Sequence, residues 1–473
     1  MTELSRSLKP RHLEMISIGG IIGAGLFVGS SASIAAVGPA IVLSYLITGT
    51  LVLLVMRMLG EMSLSMPNVR SFTEFAREGL GPWAGFIAGW LYWYFWIIVV
   101  PAEAIAGANI LHTWIPQVPT GVLGCALMAL MTGVNLMSAR SYGEFEFWFS
   151  SIKVAAIIVF ILLAGAFAFG WTAPHGSTFH NLSAYGGFMP HGTVAVLAGA
   201  VTVFFSLTGA EIVAVAAAES AEPSRAIARL TSSIIVRILM FYVGSVFFIM
   251  AVVPWTSIRI GESPFTLALE RMHFWWAGIA MDAIILTAVL SCLNSAFYVC
   301  SRVLFVLAER GDAPQGLIKL NARRVPVRSV LLCSAAGVAG ILAAIKAPQS
   351  VFAFLVDASG ALMIFVYGLI ALAHLRMRRQ RERAGQPAPA LTMWLYPWTN
   401  YLALGAMGAV LIAMQFTPGL GADLHVSLIS VAVVTGAYLA LRTWRGSREG
   451  TAAVEVAAGG EEPYGSADSE TDG

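Results

Sequence analysis

The run Gly19-Gly20-Ile21-Ile22-Gly23-Ala24-Gly25-Leu26-Phe27-Val28-Gly29 puts five glycines within eleven residues, in the middle of an apolar stretch from Met15 to Val37. Glycine is a poor helix former because its backbone loses the most freedom on ordering. Such a density marks a place where a membrane helix can unwind. Unwound backbone in lipid is tolerated only where protein buries it or it lines a cavity. Its freed N–H and C=O groups then become ligands for something polar held at mid-membrane, the arrangement that points to the binding site of a solute pathway. Close packing of small residues between helices explains two glycines four apart, but not five in eleven.

Charged groups within the apolar stretches are few, and each costs about 2.5–3.5 kcal/mol at a helix centre on insertion scales. Lys153 is one of only four lysines, against 24 arginines. It either snorkels to the cytoplasmic interface or is a buried ammonium that releases a proton within a transport cycle. Glu103 follows Pro101, which removes an N–H and favours a local kink. Its carboxyl is a candidate partner for a substrate amine, or a paired structural group. Glu211 ends a second polar, glycine-containing interruption, Phe204-Phe205-Ser206-Leu207-Thr208-Gly209-Ala210-Glu211. It could gate a pathway, hold a proton or pin the unwound segment. Asp357 is a further candidate for lining the pathway. Ser291, Asn294 and Ser295 are polar positions that hydrogen bonds between helices explain adequately, with membership of the site as the alternative. Glu219 and Glu222 read as interfacial, and Arg57, Glu61, Glu144 and Glu146 as cytoplasmic gate or interface charges rather than ligands.

The elements that must position these groups are membrane helices. The chain has 473 residues, 58% hydrophobic and 11% charged, with a mean hydropathy of +0.78. Apolar runs long enough to cross a bilayer of roughly 30 Å lie near 15–37, 40–63, 84–111, 120–138, 147–170, 193–217, 232–254, 279–304, 329–346, 350–374, 395–416 and 424–443. The first is too long for a signal peptide and lacks a nearby cleavage site, so it is expected to stay. With both termini in the cytoplasm, all of the 28 Lys and Arg except Arg259, Arg271 and Lys346 fall at or near the inner face, a positive-inside pattern. The net charge of +2 gives no sign of a nucleic-acid partner. Cys125, Cys292, Cys300 and Cys333 have neither zinc nor disulfide spacing and read as packing residues. Trp83, Trp90, Trp93, Trp96, Trp114, Trp394 and Trp398 lie in or near span ends, some of them in an aromatic belt.

Residues 1–14 are a cytoplasmic arm. An amphipathic cytoplasmic helix is expected near 68–80, lying at the interface. Residues 171–192 form a polar outer loop whose His175, His180 and His191 share no helical spacing and read as solvated rather than metal-binding. Residues 377–394 form a basic cytoplasmic loop, and 444–473 a disordered acidic tail. The two interruptions occupy matching places in consecutive five-span units, 15–170 and 193–376. An odd number of spans inverts the second unit relative to the first, the inverted-repeat plan of many secondary transporters. Spans eleven and twelve, 395–443, fall outside it. The expected fold is thus an all-α membrane protein of twelve helices, a 5+5 inverted repeat with helices one and six broken, plus two. No GxxxxGK[ST] loop, HExxH or CxxC occurs, which argues against ATP coupling and against an enzyme.

Five motifs carry a resemblance: LKPRHLEMISIGGIIGAGLFVGSS at 8–31, WLYWYFWIIVVPAEA at 90–104, YGEFEFWFSSIKV at 142–154, GAEIVAVAAAES at 209–220 and SCLNSAFYVCSRVLFVLAERGDAP at 291–314. In these the chain resembles bacterial amino acid permeases of the amino acid–polyamine–organocation superfamily, with 4-aminobutyrate (GABA) permeases closest for the first, third and fifth. The resemblance implies a proton-coupled amino acid symporter of the inner membrane that needs no cofactor. It places a substrate carboxylate on the backbone of Ile22, Gly23, Ala24, Gly25 and Leu26, where unpaired N–H groups favour an anion. It places the substrate amine near the carbonyls of Gly20, Ile21 and Phe204 to Ser206, with Glu103, Phe205 and Thr208 beside them. Lys153 would stand where some relatives hold a coupling sodium ion, and Lys153, Glu103 and Glu211 would carry the proton or gate the path. Gly25 replaces a serine of some GABA-type members, and Gly261-Glu262-Ser263-Pro264-Phe265 is more like aromatic or proline permeases. Permeases for proline, aromatic or other neutral amino acids, a sodium-coupled or exchange transporter, and a transport-dead sensor are the alternatives. Oligomeric state is not readable from the sequence.

Overall fold

The computed structural model describes residues 15, 21–66, 69, 71–137, 139–212, 239–345, 348–417 and 420–458. The arm 1–14, Gly20, Glu219 and Glu222 lie outside the described residues, as does the side chain of Asp357. Among the described residues every regular element is helical. In chain order they begin with α1 Ala24–Phe27, α2 Ser30–Val37, α3 Ile41–Ser65, α4 Phe72–Leu80 and α5 Pro82–Trp114. Next come α6 Thr120–Asn135, α7 Ala139–Ala168, α8 Asn181–Ala184, α9 Gly192–Leu207 and α10 Leu239–Val252. The remainder are α11 Pro264–Arg271, α12 Trp275–Glu309, α13 Val327–Ala344, α14 Pro348–Arg383, α15 Trp398–Gln415 and α16 Leu420–Ala458. The last helix runs past the expected end of span twelve at 443, into the region expected to form the tail.

Seven described segments are long and apolar enough to cross a membrane by length and composition. The first of them, Ala24–Ser65, holds two expected spans, joined at a corner where Gly38 has φ 77° and its Cα faces Pro190. The shorter Thr120–Asn135, Gly192–Leu207 and Leu239–Val252 are apolar as well. Helix α5 is the column of the bundle: α4, α6, α12, α13 and α14 all pack on it, as a helix apolar on every side must be covered. Pro101 does not end α5; its ring packs where Gly340 of α13 leaves room.

Lipid tails are as apolar as leucine, so helix association here rests on close packing and hydrogen bonds. Ser44 and Thr48 of α3 donate to the carbonyls of Val196 and Ala200 of α9 at 2.6 and 3.3 Å. Gly360 of α14 meets α9 so closely that an added Cβ would lie 2.1 Å from the Val201 carbonyl oxygen.

At the end that the basic residues assign to the cytoplasm, expected interface charges are paired. Glu61 accepts from Arg378 at 3.2 Å and from the Met393 N–H at 2.6 Å, beside His374 Nε2 at 3.1 Å. Helix α4 is amphipathic as expected, but it begins at Phe72 and its apolar face, with Phe72 and Phe75, is buried against α5 and α14 rather than laid on the membrane surface. The cause is close approach: Gly79 faces Ala373 of α14, and Glu74 pairs with Arg310 at 2.7 Å while Arg77 bonds Asp312. Burial would lower the Arg77 pKa, but Asp312 and Glu74 beside it hold the guanidinium above its ordinary value. Trp83, Trp114, Trp394 and Trp398 are exposed, whereas Trp96 is buried in the protein interior.

Overpacking a helix contact costs about 1–3 kcal/mol. Gly360→Ala is therefore expected to lower the thermal-unfolding midpoint in detergent. Gly408→Ala, with nothing within 4 Å of the added carbon, should leave it unchanged or slightly raised. Equal midpoints for the two variants would show that α9 and α14 do not touch at Gly360.

Candidate functional site

The first interruption spans Ile21 to Gly23, which are not helical. Gly23 is extended, with φ −136° and ψ −153°, and α1 starts after it. The Gly23 carbonyl accepts from the N–H groups of Leu26 and Phe27 at 3.3 and 3.4 Å, and the groups on either side of it are met from other helices. The Tyr242 hydroxyl of α10 lies 2.9 Å from the Ile21 carbonyl oxygen and 2.9 Å from that of Ser206. One proton serves two acceptors there, one at a time. Lys153 Nζ of α7 donates to the Ile22 carbonyl at 3.1 Å and to Ser291 Oγ of α12 at 2.8 Å. The Glu103 carboxylate of α5 accepts from the Ala24 N–H at 3.0 and 3.1 Å. A cation thus holds the freed carbonyl and an anion the freed N–H, two residues apart.

The second interruption follows α9. Thr208 to Glu211 form turns, and Gly209 has φ 123°, a conformation closed to most side chains. Glu211 Oε2 accepts from the Gly209 N–H at 3.1 Å and from the Tyr367 hydroxyl at 2.8 Å. Of the three roles read for Glu211, these contacts are those of a group that pins the turn. Thr208 Oγ1 closes back on the Phe204 carbonyl at 2.7 Å. Ser206 Oγ crosses to the other interruption and donates to the Gly25 carbonyl at 2.7 Å. The two segments touch at their backbones: a Cβ on Gly25 would lie 2.8 Å from Ser206 Cα, and one on Gly23 2.7 Å from Cys292 Sγ and from Glu103 Oε1.

Between them lies a small cavity of about 10 Å³. Its walls are Ile21 and Gly25 of the first interruption, Phe205 and Thr208 of the second, Phe95, Trp96, Val99 and Glu103 of α5, and Cys292 of α12. Of the residues expected at the site, Ile21, Gly25, Glu103, Phe205 and Thr208 meet here. Ile22, Gly23, Ala24 and Ser206 stand just behind, held by the bonds above. Leu26 is buried, and its carbonyl is taken by Ser30 Oγ at 2.6 Å. The Phe204 ring packs against Tyr367, with centroids 6.2 Å apart, outside the cavity walls.

Sequence reading missed Phe95, Trp96, Val99, Cys292, Tyr242 and Glu146. The first three share a face of α5 with Glu103, eight, seven and four residues before it, so a helical reading backward from Glu103 at steps of four, seven and eight would have found them. Cys292 follows Ser291 directly. Glu146 is seven residues, two turns, before Lys153; its Oε1 lies 3.7 Å from Lys153 Nζ and accepts from Ser291 Oγ at 2.5 Å. It is fully buried, so it is a neighbour of the site and not an interface charge. Tyr242 and Ser245 are the two hydroxyl residues of the apolar run Leu239–Val252, and nothing else in the sequence marks Tyr242.

The amino acid permease family model matches residues 12–446. The chain is 43% identical over 452 residues to the gamma-aminobutyric acid permease of Bacillus subtilis (strain 168), covering 95% of this chain and 96% of that one. It is 47% identical over 420 residues to a probable GABA permease of Pseudomonas aeruginosa, covering 88% of each. The aromatic amino acid transport protein AroP of Salmonella typhimurium (strain SL1344) is 37% identical over 439 residues, 92% of this chain and 95% of its own. Among solved structures, a mutant manganese transporter of Eremococcus coleocola superimposes with a TM-score of 0.59 over 92% of this chain and 93% of its own, at 13% identity, a likeness of fold alone. By the extent of the family match and the identity to these bacterial relatives, the chain belongs to the amino acid permease family.

Proposed function

We propose that this chain is a proton-coupled symporter that brings a zwitterionic amino acid, 4-aminobutyrate first, across the bacterial cytoplasmic membrane. In this reading twelve spans form a 5+5 inverted repeat plus two, with both termini inside. The observation that carries the reading is one cavity walled by both interruptions, with the Glu103 carboxylate seated on the Ala24 N–H that faces it.

A substrate carboxylate and the Glu103 carboxylate want the same backbone donors. While Glu103 is ionised, like charges oppose substrate entry. A proton on Glu103 removes that opposition and weakens its bond to Ala24, since the ionised form is the stronger acceptor. The substrate carboxylate then takes the freed N–H groups, and its amine faces the carbonyls of Ile21 and the second interruption. Proton and substrate load together because one backbone segment serves both. Lys153, on the Ile22 carbonyl, holds the neighbouring residue in place and supplies the positive charge that a coupling cation would give. The bundle containing both interruptions then rocks and opens the inside.

Relatives of 43% and 47% identity transport or are named for 4-aminobutyrate, which makes it the first substrate to test. A second reading, an aromatic or other α-amino acid, is favoured by the aromatic walls Phe95, Trp96 and Phe205 and by the likeness to AroP.

Proteoliposomes with an inward proton gradient and no sodium are expected to accumulate labelled 4-aminobutyrate, and a protonophore should abolish the accumulation. A requirement for sodium or for internal amino acid would replace the proton by sodium or by exchange. Binding without any flux would identify a sensor, and competition only by an α-amino acid would move the substrate to that class.

Glu103→Gln keeps an acceptor for Ala24 but no charge. Removing an anion from those donors should tighten 4-aminobutyrate binding about three- to tenfold and flatten its dependence on pH, with the wild type weakening as pH rises. Weaker binding in this variant would assign Glu103 to the substrate amine instead. Lys153→Gln should lower uphill accumulation by about tenfold or more while binding falls less; full accumulation would remove Lys153 from coupling.

A further inference from the structure

Three buried side chains behind the first interruption form a directed hydrogen-bond chain. Lys153 Nζ donates to Ser291 Oγ at 2.8 Å, and Ser291 Oγ donates to Glu146 Oε1 at 2.5 Å. The second bond is at the short end for a hydroxyl on a carboxylate. Lys153 and Glu146 are both 0% exposed, and their charged atoms stand 3.7 Å apart. Ser150 Oγ also reaches Glu146 Oε1, at 3.2 Å, and the Met15 carbonyl at 2.9 Å. Glu146 Oε2 is buried with no hydrogen-bond partner among the described residues. Glu146 thus meets the donor chain through Oε1 and keeps its second oxygen unpartnered.

We infer that Ser291 and Glu146 are the route by which the Lys153 proton leaves toward the cytoplasm. In the step, one Nζ–H bond of Lys153 breaks and its proton goes to Ser291 Oγ. The Ser291 O–H bond breaks in turn, and that proton goes to Glu146 Oε1. Ammonium and carboxylate become amine and carboxylic acid, serine is regenerated, and the total charge of the buried group does not change. That constancy matters in a membrane interior, where creating one uncompensated charge is far costlier than exchanging a buried ion pair for a neutral pair. Glu146 lies seven residues before Lys153 on α7, about 10 Å along the helix at 1.5 Å per residue, on the side that the basic residues assign to the cytoplasm. The carboxylic acid then releases its proton inward, and the amine accepts the next proton that arrives through the cavity. Neither Ser291 nor Glu146 lines the cavity, so both are positioning and relay groups rather than substrate contacts.

This inference rests on the proton-coupled reading, and the experiment separates the two. Proteoliposomes carrying a pH-sensitive dye are assayed for proton influx, uphill 4-aminobutyrate accumulation and 4-aminobutyrate counterflow. Counterflow needs loading and reorientation but no net proton release. Glu146→Gln is expected to lower accumulation and proton influx by about tenfold or more, the scale of losing a positioned proton acceptor, with counterflow much less affected. Ser291→Ala should show the same split, and Ser291→Thr, which keeps the hydroxyl, should restore accumulation. Wild-type accumulation and proton influx in Glu146→Gln overturns the relay while leaving proton coupling intact. If Glu146→Gln does not fold, the serine pair decides: accumulation by Ser291→Ala equal to that by Ser291→Thr overturns the relay. Wild-type protein without protonophore-sensitive accumulation overturns the proton-coupled reading and the relay with it.

Discussion

Backbone that leaves the helix inside a membrane must find new hydrogen-bond partners, and the architecture follows from that requirement. The alternative is an unsatisfied polar group in hydrocarbon, at several kcal/mol each. Here the Ile21 carbonyl, the Ile22 carbonyl and the Ala24 N–H are met by Tyr242, Lys153 and Glu103. These come from α10, α7 and α5, so the interruption is stable only when three other helices are in place. The second interruption is satisfied differently, mostly by itself. Thr208 closes on Phe204, and Glu211 closes on Gly209 with help from Tyr367 of α14.

That difference has a mechanical consequence. The first interruption is held by ionisable side chains, so proton transfer can loosen or tighten its hold. The second is held by a carboxylate bonded to its own turn and by hydroxyl groups. Ser206 couples the two through the Gly25 carbonyl, and Tyr242 sits between their carbonyls with one proton to give. Glycine at 25 is needed because the two segments approach at backbone distance there, and glycine at 23 because the side chains of Cys292 and Glu103 press against it. A serine at 25 would have to push against Ser206 Cα, so it would fit only with the two segments slightly farther apart.

Much of this was legible in the sequence, for physical reasons. Five glycines within an apolar run have no common explanation other than a break, and helix α1 does begin only after one. The polar segment ending at Glu211 announced the second break in the same way. Lys153 and Glu103 stood out because charge is costly at that depth. What could not be read was depth itself. Glu146 lies seven residues from Lys153, close enough to the span end to pass for an interface charge, and only the packing of α12 over it shows that it is buried. Trp96 was grouped with the interfacial tryptophans on the same evidence of position, and the fold turns it into the cavity. The amphipathic pattern of α4 was correct, but periodicity says which face is apolar and not whether lipid or protein covers it. The Phe204 ring fell on the wrong side for the complementary reason: in a helix apolar all round, no stripe tells which face meets the cavity.

In the proposed mechanism selectivity and coupling fall on separable sets of residues. Gly25, Phe95, Trp96, Val99, Phe205, Thr208 and Cys292 shape the cavity, mostly with apolar surface. Apolar walls discriminate weakly, by about 1–3 kcal/mol per methylene, so a few substitutions there can move a permease from one amino acid to another while the rest of the chain stays put. Lys153, Ser291 and Glu146 lie behind the backbone, out of reach of a substrate side chain. In the proposed mechanism they act on the segment assigned to the carboxylate, which all amino acids share. A cavity open to revision in front of a fixed charge network is consistent with relatives named for 4-aminobutyrate and for aromatic amino acids aligning over nearly the whole chain.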